Sequence, residues 1–201
     1  MKLIILGIQG SGKGTQSELI SEKFHLKHIS TGDLIRKEIS EKTELGNKLK
    51  ELISRGELAS DKITNELLRK NLPKNNFLLD GYPRNLDQAK FLDSITEIDK
   101  VISLELSEKE VMKRLSNRFQ CPNCKLQYGL NKMPKREKRC DECQTTLIQR
   151  TDDKPEAIQK RIDIFKKETF PILEYYSDRI ILINGNQTVE RVFKDIEKEL
   201  N

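Results

Sequence analysis

The apolar residues of this chain follow two alternating patterns. Short, nearly continuous apolar runs occur at 3–6, 77–79, 101–106 and 180–183, each the length of a strand buried on both faces. Between them the spacing changes to three or four. Ile63, Leu67 and Leu68 form one stripe, Val111, Leu115 and Phe119 a second, and Ile158, Ile162 and Phe165 a third. The clearest stripe is the last, with Val189, Val192, Phe193, Ile196 and Leu200 on one helical face. Strands alternating with helices predict an α/β fold built on a parallel sheet flanked by helices. Two stretches break the alternation. Residues 31–55 read as two short helices with no strand between them, the second marked by Leu45, Leu49, Leu52 and Ile53. Residues 121–143 have little periodicity and hold all 4 cysteines. Both read as insertions, which leaves a core of 1–29, 60–116 and 154–201, one insertion at 30–59 and another at 117–153.

Composition narrows the picture. A chain of 201 residues with 35% hydrophobic and 34% charged content suits one compact domain with small insertions. Aromatics make up only 5% and Trp is absent, so the core is aliphatic. The net charge of +5 leans towards anionic partners without implying nucleic acid. The N-terminal apolar run stops after Leu6, far short of a signal-peptide core or a membrane span, and no later run is long enough either. A cytoplasmic protein with no membrane partner is expected. In such a reducing compartment, cysteines serve as metal ligands more readily than as disulfides.

The first strand runs directly into Gly7-Ile8-Gln9-Gly10-Ser11-Gly12-Lys13-Gly14-Thr15 and then a helix holding Leu19, Ile20 and Phe24. Glycines let the backbone curl so that successive N–H groups point inward as a nest for phosphate oxygens. The helix N-terminus adds partial positive charge, and Lys13 reaches the outer phosphates. Gly14 stands where the strict P-loop has Ser or Thr, and the hydroxyl follows at Thr15. With that extra glycine, the segment resembles the adenylate kinase form of the P-loop, and Gln9 departs from the proline common in that family. The resemblance implies a P-loop NTPase-like fold, with Gly10, Ser11, Gly12, Lys13, Gly14 and Thr15 holding ATP.

Two further segments extend the resemblance. Ser30-Thr31-Gly32-Asp33-Leu34-Ile35-Arg36 opens the first insertion. Read alone, Thr31 is a helix cap and Arg36 a phosphate partner. Asp80-Gly81-Tyr82-Pro83-Arg84 follows the strand at 77–79, where open α/β sheets place their ligands, with Gln88 four residues on. Gly81 permits close backbone approach, and Arg84 offers a bidentate fork. By similarity to the family, residues 30–59 are a helical insertion that binds the nucleoside monophosphate. Thr31, Arg36, Gly81, Tyr82, Pro83, Arg84 and Gln88 should hold AMP, Gln88 reading the adenine edge. Glu57, Leu58 and Ala59 should line the base pocket, and Asp80 should orient Mg2+ through water.

Arg114 and Arg118 lie four apart on one helix before the cysteine-bearing insertion, while Arg150 and Arg161 follow it, flanking Asp152 and Asp153. Spacing alone does not separate these arginines from solvated helix faces. The resemblance decides: Arg-x-x-x-Arg before the lid and Arg-x-Asp-Asp after it are family features at matching positions. It makes Lys13, Arg84, Arg118, Arg150 and Arg161 catalytic. Arg114 and Arg118 would hold ATP, and Arg150 and Arg161 AMP. An attacking phosphate oxygen is already anionic and needs no strong base, so positioning and charge stabilisation carry the chemistry. Water must be excluded, which a closing lid achieves.

Cys121-Pro122-Asn123-Cys124 and Cys140-Asp141-Glu142-Cys143 are two Cys-x2-Cys hairpins. Two such knuckles complete a tetrahedral four-thiolate site with no open position, which makes the metal structural, zinc by default with iron as the other candidate. A module without a core needs such a staple. The resemblance matches this to the small zinc-stapled lid, here 117–153. The family often carries Tyr-His after the first knuckle, whereas this chain has Tyr128-Gly129. By the same similarity Gln127, Tyr128 and Gln187 contribute to ATP binding. The expected activity is adenylate kinase: reversible Mg2+-dependent transfer between ATP and AMP, yielding two ADP, by a monomer that binds no nucleic acid. Two alternatives compete. One is a kinase of the same fold acting on UMP, CMP or GMP. The other is a nucleic-acid-binding zinc ribbon using Lys132, Lys135, Arg136, Lys138 and Arg139, which leaves the P-loop and the Arg84 segment unexplained.

Overall fold

A computed structural model describes all residues except Gly56, Leu58, Asn131, Thr151 and Asp152. Its centre is a five-stranded sheet built from β1 (Lys2–Gly7), β2 (Lys27–Ser30), β3 (Phe77–Asp80), β4 (Lys100–Glu105) and β7 (Ile180–Asn184), in the order β2-β3-β1-β4-β7. Every pairing is parallel. The four strands expected from apolar runs are present, and β1 is as dry as its sequence requires, with Leu3, Ile4 and Ile5 fully buried. Its side chains alternate between two layers. Leu3 and Ile5 pack with Ile20, Val192 and Ile196, from α1 (Lys13–Lys23) and α9 (Val189–Leu200). Ile4 and Leu6 pack with Leu68, Leu92, Ile172 and Tyr176. Of these, Leu68 lies on α4 (Asp61–Asn71), Leu92 on α5 (Leu86–Ile95) and Ile172 on α8 (Phe170–Tyr175). Each such aliphatic side chain contributes roughly 1.5–3 kcal/mol by leaving water, so the sheet is held from both faces.

Two elements differ from the sequence expectation. Strand β2 carries no apolar run. It lies at the sheet edge, pairs with β3, and buries Ile29 while Lys27 stays exposed. An edge strand can be mostly polar, so hydrophobicity does not mark it. The stripe through Val111, Leu115 and Phe119 also divides. Helix α6 (Glu108–Ser116) stops at Asn117, and Phe119 opens the short hairpin of β5 (Phe119–Gln120) and β6 (Gln127–Tyr128). Val111 and Leu115 pack with Ile8, Ile158 and Ile162, the last two from α7 (Pro155–Ile164). Phe119 instead joins Cys121, Tyr128, Cys140 and Leu147 in a separate small cluster.

Residues 31–55 fold as the expected helix pair, α2 (Thr31–Ser40) and α3 (Glu44–Ser54), capped by the side chains of Ser30 and Thr43. Their own cluster is centred on Ile35, Leu49, Ala59 and Leu67. Gly46 lets the helices meet: a Cβ there would overlap the Glu38 carbonyl and stand 2.7 Å from the Ile39 nitrogen. Backbone cannot move aside as a side chain can. Gly46→Ala should therefore destabilise by roughly 1–3 kcal/mol, lowering Tm by several degrees in calorimetry. An unchanged Tm would mean that the pair separates without cost.

Candidate active site at the carboxyl ends of the strands

The connection after β1 curls through Gly10 and Gly12, both at positive φ (77° and 98°), before α1 begins at Lys13. Gly12, the N-cap, has no side chain to satisfy the first N–H groups of the helix. Those donors, with the helix dipole behind them, make an anion site. Beneath the loop, Lys13 Nζ donates to the carbonyls of Gly7 (2.6 Å) and Ile8 (3.1 Å). Its pKa is lowered to about 8, chiefly by burial. Asp80 opposes that shift, while Arg84, Arg161 and Arg118 reinforce it. Lys13, Asp80, Arg84, Arg118 and Arg161 line one cleft.

Each cation is delivered by a different element. Arg84 sits between β3 and α5, and its Nε donates to the Gly81 carbonyl at 2.8 Å. Arg118 lies at the end of α6 and forms a bidentate pair with Asp153, Nε to Oδ2 at 2.7 Å and Nη2 to Oδ1 at 2.6 Å. Arg161, from α7, approaches the same carboxylate at 3.6 Å. Asp153 is 2% exposed and so holds both arginines in a dry site. Removing one partner of such a pair strands a buried charge, which costs about 3–5 kcal/mol. Arg114 donates from Nη2 to the Gly185 carbonyl at 3.0 Å, fixing the loop after β7. Arg36 is paired with Asp33.

One cleft unites these groups. Its walls include the loop 10–15, Arg36, Asp80, Gly81, Arg84, Arg114, Arg118, Gln127, Tyr128, Arg150, Arg161 and Gln187. A smaller cavity behind Lys13, Arg84 and Arg161 adjoins it and includes Pro83. Other expected contacts lie behind the walls. Thr31 donates its hydroxyl to the Gly81 carbonyl at 2.8 Å. Buried Tyr82 bonds Asn65 at 2.6 Å, and Ala59 belongs to the α2–α3 cluster. Glu57 pairs with Lys160 on α7 at 2.7 Å, tying the insertion to the core. Leu58, like Asp152, lies outside the described residues. Gln88 is 1% exposed. Its Nε2 donates to Asp61 (2.7 Å) and Thr64 (3.2 Å), and its Oε1 accepts from the Arg84 N–H (2.8 Å). In this structure its amide therefore holds the Arg84 loop.

Asp33 and His28 are among the wall residues to which the sequence reading gives no role. Asp33 belongs to the Ser30–Arg36 segment, but its pairing with Arg36 is a tertiary detail. His28 lies on the edge strand that apolar patterning does not mark, and its Nε2 stands 3.6 Å from Asp80 Oδ2.

In the second insertion, the four cysteine sulfurs lie within 4.8 Å of one another, with Cys121 and Cys140 buried. Thiolates bound to one tetrahedral ion at about 2.3 Å require sulfurs less than 4 Å apart. Pairs here stand at 3.3, 3.4 and 3.8 Å, so the donor set fits a metal ion.

A phosphate cradle on the first strand of a parallel sheet, facing arginines from four other segments, defines a P-loop phosphotransferase. Comparison with known proteins gives the class a family. The family model for adenylate kinase matches residues 5–181. Proteins named adenylate kinase from Petrotoga mobilis, Listeria monocytogenes and Thermosipho africanus are 47%, 43% and 41% identical. The alignments cover 98%, 100% and 98% of this chain, and 95%, 99% and 97% of those proteins, respectively. The chain belongs to the adenylate kinase family. No helix among the described residues is long and apolar enough to cross a membrane.

Proposed function

We propose that this phosphotransferase catalyses reversible, Mg2+-dependent transfer of the γ-phosphoryl group from ATP to AMP, forming two ADP and balancing the adenine nucleotide pool. The observation that carries this reading is that Lys13, Asp80, Arg84, Arg118 and Arg161 line one cleft at the phosphate cradle. Two polyanions must be brought together there, and each unit charge they carry needs a partner in a site that excludes water. The N–H groups of residues 10–15 hold the donor phosphates, with Lys13 at the outer ones. Arg36 and Arg84 hold the acceptor phosphate. An acceptor oxygen attacks the γ-phosphorus while the bond to the β-phosphate oxygen breaks, leaving ADP. Arg118, Arg150 and Arg161 stabilise charge on the group in flight.

Asp80 is a carboxylate 8% exposed at the end of β3, and a Cβ on Gly14 would stand 3.9 Å from its Oδ2. A carboxylate so near the phosphate cradle suits a hydrated Mg2+ held through water. When bound, the ion supplies charge neutralisation between the phosphates. Cys121, Cys124, Cys140 and Cys143 would hold a structural zinc ion, which would staple their segment rather than take part in the chemistry. Residues 30–59 and 117–153 act as moving covers on the core. The donor base is held beside Arg114, Gln127, Tyr128 and Gln187. The enzyme works as a cytoplasmic monomer on ATP, AMP and ADP, without nucleic acid.

A coupled assay with ATP against AMP, GMP, CMP and UMP tests this. AMP should be preferred by at least tenfold in kcat/KM. A clear preference for another monophosphate would transfer the reading to a sister kinase. Failure to phosphorylate any of them, with tight RNA or DNA binding, would favour the zinc ribbon.

A further inference from the structure

Three hydrogen bonds are among the contacts that hold Arg84. Its N–H donates to Gln88 Oε1 at 2.8 Å, its Nε donates to the Gly81 carbonyl at 2.8 Å, and its own carbonyl accepts from the Thr169 hydroxyl at 2.7 Å. The first two grips are local. The third comes from 85 residues along the chain. Thr169 is 7% exposed, so water competes little for this bond. A threonine in a helix commonly turns its hydroxyl back to the carbonyl one turn earlier. Here it reaches across to another element.

The local backbone explains how. Thr169 ends a π-helical turn, Phe165–Thr169, between α7 and α8. Pro171 follows, which has no N–H to return to the preceding turn. The wider turn shifts the register of side chains between the two helices. On α7, Arg161 faces the cleft. On α8 and just beyond it, Ile172 and Tyr176 face the core, and the Tyr176 hydroxyl bonds Asp93 on α5 at 3.1 Å. Thr169 lies at the junction, beside the cavity it shares with Arg84 and Arg161.

We infer that Thr169 is a positioning residue for Arg84, coupling the helix that carries Arg161 to the loop that carries Arg84. The π turn sets the spacing of the two guanidinium groups, and the Thr169 hydroxyl transmits it. The inference rests on the role proposed for Arg84 above, so the test separates the two. Thr169→Val keeps the shape and removes the hydroxyl, and Thr169→Ser keeps the hydroxyl. Both are measured in the wild-type background and beside Arg84→Met. A misplaced catalytic group commonly costs one to two orders of magnitude, so Thr169→Val should lower kcat about tenfold. KM for AMP should rise and KM for ATP should stay within about twofold. Serine should recover most of the loss, and valine should add nothing once Arg84 is gone, as residues acting in series require. Equal losses in both backgrounds, no rescue by serine, or an unchanged kcat would each overturn the inference. If Arg84→Met alone proves harmless, the role of Arg84 fails first and the inference falls with it. Should valine prevent folding, Thr169→Ala removes the hydroxyl without adding bulk and is read against the same outcomes.

Discussion

Replacing Lys13 with methionine is expected to lower kcat/KM for ATP by roughly two to three orders of magnitude, the usual loss when one preorganised donor to developing charge is removed. Its ammonium group already lies among the carbonyls of Gly7 and Ile8 beneath the phosphate cradle. No other cation on the same short loop can replace it. Stability should move the other way. The folded-state pKa of about 8 lies below the ordinary 10.5, mainly because the ammonium is buried. Between those values the unfolded chain holds a proton that the folded chain has released, so Lys13 makes stability rise with pH across that window. Below about 8 the penalty is fully present, and Lys13→Met should raise Tm at pH 7. The same shift predicts that kcat/KM for ATP, which reports the free enzyme, falls as pH climbs through about 8. Bound phosphates favour the protonated amine, so kcat should hold to higher pH. A variant with near wild-type kcat/KM would remove Lys13 from the chemistry, and a wild-type profile flat to pH 10 would remove the lowered pKa.

Metal removal should produce the second large effect. Among its described residues, the second insertion buries few apolar side chains beyond Cys121, Tyr128, Cys140 and Leu147, far too few to order a module of that length. If the four sulfurs, which lie within 4.8 Å of one another, hold a metal ion as proposed, the order of the module should depend on that ion. Protein purified without oxygen should contain one metal ion per chain, and chelation or Cys140→Ser should lower Tm by roughly 10 °C, as the loss of a few kcal/mol does at this size. Far-UV helicity should persist, because the sheet and its helices have their own cores. Activity should fall as well, since Arg118 and Arg150 stand at the two stems of the insertion and depend on its order. Absence of stoichiometric metal would overturn the four-thiolate site. An unchanged melting curve in fully demetallated protein would deny it a structural role.

These outcomes bear on how much of the molecule was legible before folding was considered. Leu3–Leu6 read as a doubly buried strand because a strand dry on both faces must be apolar at every position. Cys121, Cys124, Cys140 and Cys143 read as one cluster because paired knuckles leave thiolates few other uses. The phosphate cradle at 7–15 was equally plain, since its glycines and lysine are adjacent in sequence and act through local backbone geometry. By contrast, β2 was invisible, because an edge strand answers only to its single neighbour. Gln88 carries a base-reading expectation from family resemblance, and only the structure adds that its amide bonds Asp61, Thr64 and the Arg84 N–H.

What the chain determined by itself were the features that act over a few residues: strand and helix periods, the phosphate cradle, the metal knuckles and the class of chemistry they imply. Only the tertiary structure decided which distant groups meet. Asp153 receives Arg118 from one side of the insertion and approaches Arg161 from the other, and Thr169 reaches Arg84 across the core. Such contacts carry no local signature, because each depends on packing angles set by every helix and strand between the partners.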